Sequence, residues 1–361
     1  MAGVDVVVFL GTPWARLEHQ NTRWRSVLLE WVRDPRVGRL AVVDFPSLSL
    51  RNLTRPRAAA IATWDDRIAA YAGRVPAYRR ATPLDALAWR STGVALNRLL
   101  PGGDDRVVVA ATPLWAAALP NVPAARRGFD AVDDWRALPV AERVGGHIGR
   151  GYRAAAGLDA VTAVSPALAD RLRRDFGAAA QAVPNGVNLD AYSAPPPPLT
   201  RDLPPEPFAV YVGVVQQRVD VDLLVQARTV MPVVVAGPAD EATVQQLHAA
   251  DVTWLGPIEP DEVPTLLRTA AVGLLPHRVD ALTTSMSPMK VLEYLAAGLP
   301  VAATPVPLTV ASDRIIVADG SDFAGAVGAA GALGCLGRPD PAVTDFSWKR
   351  VAAELLTIHL G

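Results

Sequence analysis

The sequence predicts an α/β chain of two Rossmann-like α/β/α domains, and three observations carry that prediction. Short continuous apolar runs recur, among them VDVVVFL at 4–10, VVVAA at 107–111 and VVVAG at 233–237. Runs of this kind fit parallel strands buried on both faces. Between them lie segments of helical period with capping residues at their starts. A proline-rich stretch, APPPPLTRDLPPEP at 194–207, then divides the 361 residues into two parts, each long enough to bury its own core.

Half the residues are apolar and a fifth are charged, as in a globular protein. No apolar run approaches the ~20 residues of a membrane span. The start, MAGVDVVVFLG, has no basic, cleavable signal, and VVVFLG reads better as the buried first strand. Cys335 is the only cysteine, which excludes a disulfide framework and a thiolate metal site and points to the reducing cytoplasm. The net charge of −1 is unevenly spread. Residues 1–199 carry 25 Lys and Arg against 18 Asp and Glu, hence +7, and residues 200–361 carry 10 against 18, hence −8. A basic first half suits an anionic acceptor or peripheral contact with an anionic membrane surface, and an arginine-rich solvated face explains it as well.

In chain order, the strand at 4–10 leads through Gly11-Thr12-Pro13-Trp14 into a helix over 21–33, with Trp24, Val27, Leu28 and Trp31 on one face. Residues 40–44 form a second strand. The stretch 51–106 holds ten arginines and few acids; within it, TPLD at 82–85 resembles a capped helix start, and Leu84, Leu87, Leu96, Leu99 and Leu100 supply a buried face. Seven of nine tryptophans fall in the first 140 residues, as core or as platforms for a sugar or aromatic acceptor. FDAVDDW at 129–135 is a strand running into Asp133 and Asp134, and ligand crevices of doubly wound sheets open at that end. A carboxylate there suits an acceptor hydroxyl, and a helix N-cap is the competing role. His147, in GGHIGRG, is a weaker candidate in a segment whose glycines suggest mobility. Ser165-Pro166 starts a helix over 166–176, and VPNGV at 183–187 ends the domain.

The second domain begins with a strand at 208–212, then Gly213, Arg218 in a loop, and a helix from about Asp222. Strands follow at 233–238, 252–256 and 272–275, the last leading to His277, Arg278 and Asp280. The chain is organised around SMSPMKVLEYLAAGLPVAAT at 285–304. Ser287 reads as the N-cap and Pro288 as the first helical residue; Val291, Leu292, Leu295 and Ala296 share a face; Gly298 takes the left-handed C-cap position. A helix start after a strand and loop suits a phosphate, Lys290 adds charge, and Glu293 offers an acceptor for sugar hydroxyls.

MKVLEYLAAGLPV resembles the donor-binding helix of GT-B glycosyltransferases of the retaining family four, and AVPNGVNLDAY at 182–192 resembles the same family's end of its first domain. FDAVDDW, LDAVTAVSPALADRL and YVGVVQQRVDVDLL resemble a bacterial branch of teichuronic-acid-type glycosyltransferases. The resemblance runs from about residue 105 to the C-terminus. It implies two domains facing across a cleft: 1–193, completed by a terminal helix at 346–361, then the linker, then 208–345. It implies that Arg218 and Lys290 neutralise the leaving diphosphate and that Asp133 or Asp134 serves the acceptor where many members have a histidine. Gly213, Ile258, Ser287, Met289 and Glu293 would contact the donor, with the base beside Gly256-Pro257-Ile258 and Glu293 on the ribose; Gly11 and Thr12 would approach the donor phosphates or the acceptor, or only turn the chain. Two departures stand out. A second cation near Arg218 is missing, and the first Glu of a Glu-x7-Glu pair is Ser285, so sugar contacts would fall to Asp280, Thr284 or backbone N–H groups at 286–289.

The expected function is transfer from a UDP- or dTDP-sugar to an acceptor hydroxyl of a small molecule, glycan or lipid-linked sugar, with retention, and with no cofactor or metal besides the donor. His19, Gln20 and Arg23 are further acceptor candidates. Two alternatives keep the fold: a non-catalytic nucleotide-sugar-binding subunit and a nucleotide-sugar epimerase. No motif points to nucleic acid.

Overall fold

The computed structural model describes residues 3–17, 22–48, 51, 58–63, 65–75, 85–193 and 201–361, without the side chains of Asp85, Ala86 and Trp89. It divides into two compact units, Met1–Pro184 with Lys349–Gly361, and Asn185–Trp348. His19, Gln20, Trp64, Leu84 and the first half of the proline-rich stretch lie outside the described residues.

The first unit is built on β1 (Val4–Phe9), β2 (Val37–Val43), β3 (Ser47–Leu48), β4 (Ala58–Ile61), β5 (Ile68–Val75), β6 (Val107–Ala110), β7 (Arg126–Ala131), β8 (Ala160–Ala163) and β9 (Ala180–Ala182). Their order is β3-β5-β2-β1-β6-β7-β8-β9, parallel except where β4 pairs antiparallel with β5. β1 therefore sits centrally, and Val6 to Leu10 are wholly buried, as a continuous apolar run requires. Gly11 follows at the point where the winding direction changes. A Cβ there would lie 2.5 Å from the Ala111 carbonyl oxygen, so close approach of the chain after β1 and β6 requires glycine.

Helices Arg23–Trp31 and Pro166–Phe176 are capped by Thr22 and Ser165, whose hydroxyls accept from the Arg25 and Leu168 N–H groups. Arg23 is not an acceptor contact. It is 2% exposed, donates to the Asp130 carboxylate at 2.9 and 3.1 Å, and donates to the carbonyls of Val183 and Pro184. Trp14, Trp24, Trp31, Trp115 and Trp135 are buried, so these tryptophans are core rather than platforms. The glycine-rich GGHIGRG lies inside a helix, Ala141–Ala155, with a kink at Val144 (φ −132°). A Cβ at Gly151 would meet the Pro113 carbonyl oxygen at 1.7 Å, so this glycine serves close packing, and His147 is buried in the same helix.

The helix Asp85–Asn97 buries Ala88, Thr92 and Leu96, followed by Leu100. Leu87 and Leu99, expected on that face, are exposed at 67% and 40%. The i, i+4 series from Ala88 meets the sheet, and Thr92 confirms the contact by donating to the Arg74 carbonyl at the end of β5. The final helix, Trp348–Leu360, packs into the first unit from Lys349 onward. Trp31 donates its indole N–H to the Ala352 carbonyl at 2.8 Å, and the His359 ring fills the space a Gly128 side chain would take. Burial pushes the His359 imidazole down to about 4, against the pull of Asp130.

The second unit has β10 (Ala209–Val212), β11 (Val233–Ala236), β12 (Thr253–Gly256), β13 (Val272–Leu275), β14 (Val301–Ala303) and β15 (Ile315–Val317), in the order β12-β11-β10-β13-β14-β15 and all parallel. Counted from β10 this is the 3-2-1-4-5-6 doubly wound order. Asn185–Ser193, expected in the first domain, belong here because Val187 and Tyr192 join this unit's core. Among the described residues no helix is long and apolar enough to cross a membrane.

Candidate functional site

In a doubly wound sheet the winding direction reverses between the first and fourth strands, and ligands bind beyond their carboxyl ends. In the second unit those strands are β10 and β13. β10 ends at Val212 and runs into Gly213 (φ +134°); beside it β11 runs into Gly237 (φ +140°). A Cβ on Gly237 would stand 2.2 Å from the Gly213 carbonyl oxygen. Both positions need glycine, for backbone conformation and for proximity.

The helix Met289–Ala296 is held over this point by Tyr294. Its hydroxyl accepts from the Val212 N–H and donates to the Leu274 carbonyl, both at 3.2 Å, bridging β10 and β13. Gly273 makes room for the ring, since a Cβ there would lie 2.4 Å from it. Tyr294 was not singled out by sequence; the glycine inside a strand was the available signal. At the other end, Leu299 N–H returns to the Tyr294 carbonyl and Gly298 (φ +79°) closes the helix in the left-handed conformation expected of it.

One turn before Tyr294, Lys290 reaches back over the end of β10. Its Nζ lies 5.0 Å from the centre of the buried Tyr211 ring, and a Cβ on Gly213 would be 3.3 Å from it. Burial, then the charge of Arg218, push the Lys290 ammonium down to about 7, while Glu293 opposes the shift. Arg218 lies in the loop between β10 and the helix Val221–Arg228. That loop is tied to the end of β13: Asp220 N–H donates to the Pro276 carbonyl and Arg278 N–H to the Arg218 carbonyl, each at 2.8 Å. The Arg218 Nε is buried and without a hydrogen-bond partner among the described residues.

The loop before the helix departs from its expected capping. The N-cap is Pro288, the helix begins at Met289, and no described side chain caps it. Ser287 is buried, and its hydroxyl accepts from the Asn185 N–H at 3.2 Å and pairs with Thr309 at 3.3 Å, while Asn185 Nδ2 donates to the Ser287 carbonyl at 2.7 Å. Asn185 belongs to the PNGV stretch, so that stretch braces the helix entrance. Ser285 is fully buried and donates to the Leu282 carbonyl at 2.8 Å. The Asp280 carboxylate accepts from the N–H groups of Leu282 and Thr283, and Thr284 donates to the Asp280 carbonyl. These three polar side chains organise their own turn.

Of the residues picked from sequence, the second unit thus brings together Gly213, Arg218, Met289, Lys290 and Glu293, with Ser287 just outside. Glu293 is 9% exposed on the same helix. Ile258 follows β12, the far edge strand, and packs against the unit's core. Gly11, Thr12, Asp133 and Asp134 belong to the first unit. Thr12 and Asp133 are partly exposed. Asp134 is buried, caps the turn Trp135–Ala137, and accepts from Arg136 at 2.9 Å and from Arg171 at 3.4 Å. The capping role weighed for it is the one seen.

Residues 207–330 match the family model described as glycosyl transferases group 1. Over these residues, all within the second unit, the chain is similar to the glycosyl transferases of that group. The chain is 27% identical over 137 residues to a Bacillus subtilis protein named as a teichuronic acid biosynthesis glycosyltransferase, TuaH, covering 35% of this chain and 34% of that one. The match thus spans about a third of that curated relative. Among solved structures, the chain is similar to Anabaena HepE in complex with UDP and glucose (TM-score 0.64, 14% identity, 98% of each chain). It is also similar to an α,α-trehalose-phosphate synthase (UDP-forming) from Burkholderia vietnamiensis (TM-score 0.63, 12% identity, 100% of this chain and 99% of that one). At these identities the likeness shows the fold, and that fold is GT-B.

Proposed function

We propose that this chain transfers a glycosyl group from a nucleotide-diphosphate sugar, UDP- or dTDP-linked, to an acceptor hydroxyl. The observation that carries the reading is the approach of Lys290 to the Gly213 end of β10, with Arg218 close enough to depress its ammonium. Two cationic side chains and an uncapped helix start at a topological switch point form an anion site. The group 1 domain match, and neighbours such as HepE whose structures contain UDP, favour a nucleotide diphosphate as that anion.

In the proposed reaction the bond from the anomeric carbon to the diphosphate oxygen breaks and a bond to the acceptor oxygen forms. The acceptor proton passes to a diphosphate oxygen, which suits transfer with retention. Lys290 and Arg218 stabilise the negative charge gathering on the departing group, the task metal ions perform in other transferases. Glu293 holds the ribose hydroxyls, and Ser287 keeps the helix entrance in place through Asn185. Asp134, already paired with Arg136 and Arg171, receives no proton-transfer role here.

The Lys290 value gives this site a pH signature. An anion binds the charged form and raises its pKa. Affinity for a diphosphate is therefore full below pH 7 and declines above it, by up to about tenfold per pH unit from this group. Titrating UDP into the protein from pH 6 to pH 9 measures that decline, and a flat profile would remove Lys290 from the anion site.

The enclosed Ser285 hydroxyl favours one second reading, a nucleotide-sugar-binding protein without turnover, since no carboxylate stands at that position. Incubation with UDP- and dTDP-sugars across an acceptor panel separates the readings. Acceptor-dependent release of nucleoside diphosphate supports transfer, whereas tight donor binding with no release under any acceptor supports the second reading.

A further inference from the structure

Among the described residues of the second unit, His277 is buried with both of its ring nitrogens unpaired. It lies two residues beyond β13 and is 1% exposed. Buried polar atoms are nearly always paired, because leaving one unpaired forfeits its bond to water with nothing in return. The Thr304 hydroxyl donates to the carbonyl of His277 itself at 2.7 Å rather than pairing with its ring. Burial first, then the charges of Lys290 and Arg218, disfavour protonation of the ring. Those two side chains are donors only, so neither can accept from an imidazole N–H. Arg218 Nε is likewise buried without an acceptor. Arg218 and His277 together, on two loops joined by the Val219–His277 bridge, lack acceptors, and Lys290 brings the charge that would draw one in.

We propose that His277 is a third direct ligand of the donor's diphosphate, giving an imidazole N–H to a phosphate oxygen alongside Arg218 and Lys290. This rests on the donor-site reading above and deepens it, because a second group beside Arg218 was missing from the sequence pattern. A neutral imidazole suits the role. It supplies a hydrogen bond without placing a third positive charge beside the other two.

The test is calorimetric titration of the full chain with pyrophosphate, UDP and UMP, in wild type, His277→Phe and His277→Gln, with Lys290→Ala as reference. Hydrogen bonds to charged groups set the scale: His277→Phe should weaken pyrophosphate and UDP at least about tenfold and UMP less than about twofold, with His277→Gln within about threefold of wild type. Should the phenylalanine variant fail to fold, the imidazole nitrogen resonances of ¹⁵N-labelled wild type carry the test. Those of His277 should shift on adding pyrophosphate. Unchanged diphosphate affinity in His277→Phe, equal weakening of all three ligands, or His277 resonances that stay put while pyrophosphate binds would each overturn the assignment. If the wild type binds neither pyrophosphate nor UDP, the donor site itself fails and the histidine assignment falls with it. If the wild type binds and Lys290→Ala does not, while His277→Phe does, only the histidine assignment fails.

Discussion

Lys290→Ala is expected to abolish the stabilisation that a nucleoside diphosphate gives the protein and to leave the empty protein at least as stable. The two halves of that result have one cause. Lys290 is held in a setting where burial and the charge of Arg218 disfavour its ammonium. In the empty protein that setting costs stability, and alanine relieves it. In the liganded protein an anion compensates the charge, and alanine loses the interaction. A ligand at a hundredfold excess over its dissociation constant stabilises by about 2.7 kcal/mol, which is the difference the variant should lose. Removing one preorganised group that stabilises developing charge typically lowers turnover by about 10²–10³. Thermal unfolding with and without nucleotide, followed by turnover, checks both. A variant that loses stability when empty and keeps its response to nucleotide would mean that Lys290 is a packing residue.

The second large effect is on stability alone. Asp130→Ala should destabilise the protein by about 3–5 kcal/mol, because it leaves the Arg23 guanidinium charged and buried. The bonds from Arg23 to the Val183 and Pro184 carbonyls remain but do not neutralise it. Thr162, which donates to Asp130 at 2.7 Å, loses that bond as well. The contrast is Asp170→Ala: its pairing with Arg173 is solvent-exposed on both sides, and surface pairs contribute about 0–1 kcal/mol. Equilibrium denaturation of the two variants measures the difference. Equal effects would contradict the reading of Arg23–Asp130 as the polar pin of the first unit's interior.

Much of this architecture was legible because apolar runs and caps are local signals. The strands at 4–9, 107–110, 233–236 and 272–275 are short Val- and Leu-rich runs, and Ser165 and Gly298 mark helix ends by their own chemistry. The stretch 58–75 was opaque: AAAI and IAAYAGRV are alanine-rich strands with weak intrinsic preference, and pairing with β2 and with each other decides their state. In the site, Lys290 and Arg218 were recognisable by charge and by their place after strands. Ser287 and Asp280 looked equally suitable, and only the fold reveals that their oxygens are engaged by Asn185 and by the turn at 282–283. His277 shows the reverse. Its distinguishing property is burial without a partner, and no sequence pattern encodes that.

The account stands on an anion site for a nucleotide diphosphate in the second unit. The most direct measurement is the shift in unfolding temperature of the wild-type chain with UDP, dTDP, GDP and ADP, each against the matching monophosphate. The account predicts that at least one diphosphate, UDP or dTDP foremost, raises the unfolding temperature well above its monophosphate. If no diphosphate stabilises the protein, Gly213, Arg218 and Lys290 do not form a donor site, and the proposed reaction fails with it.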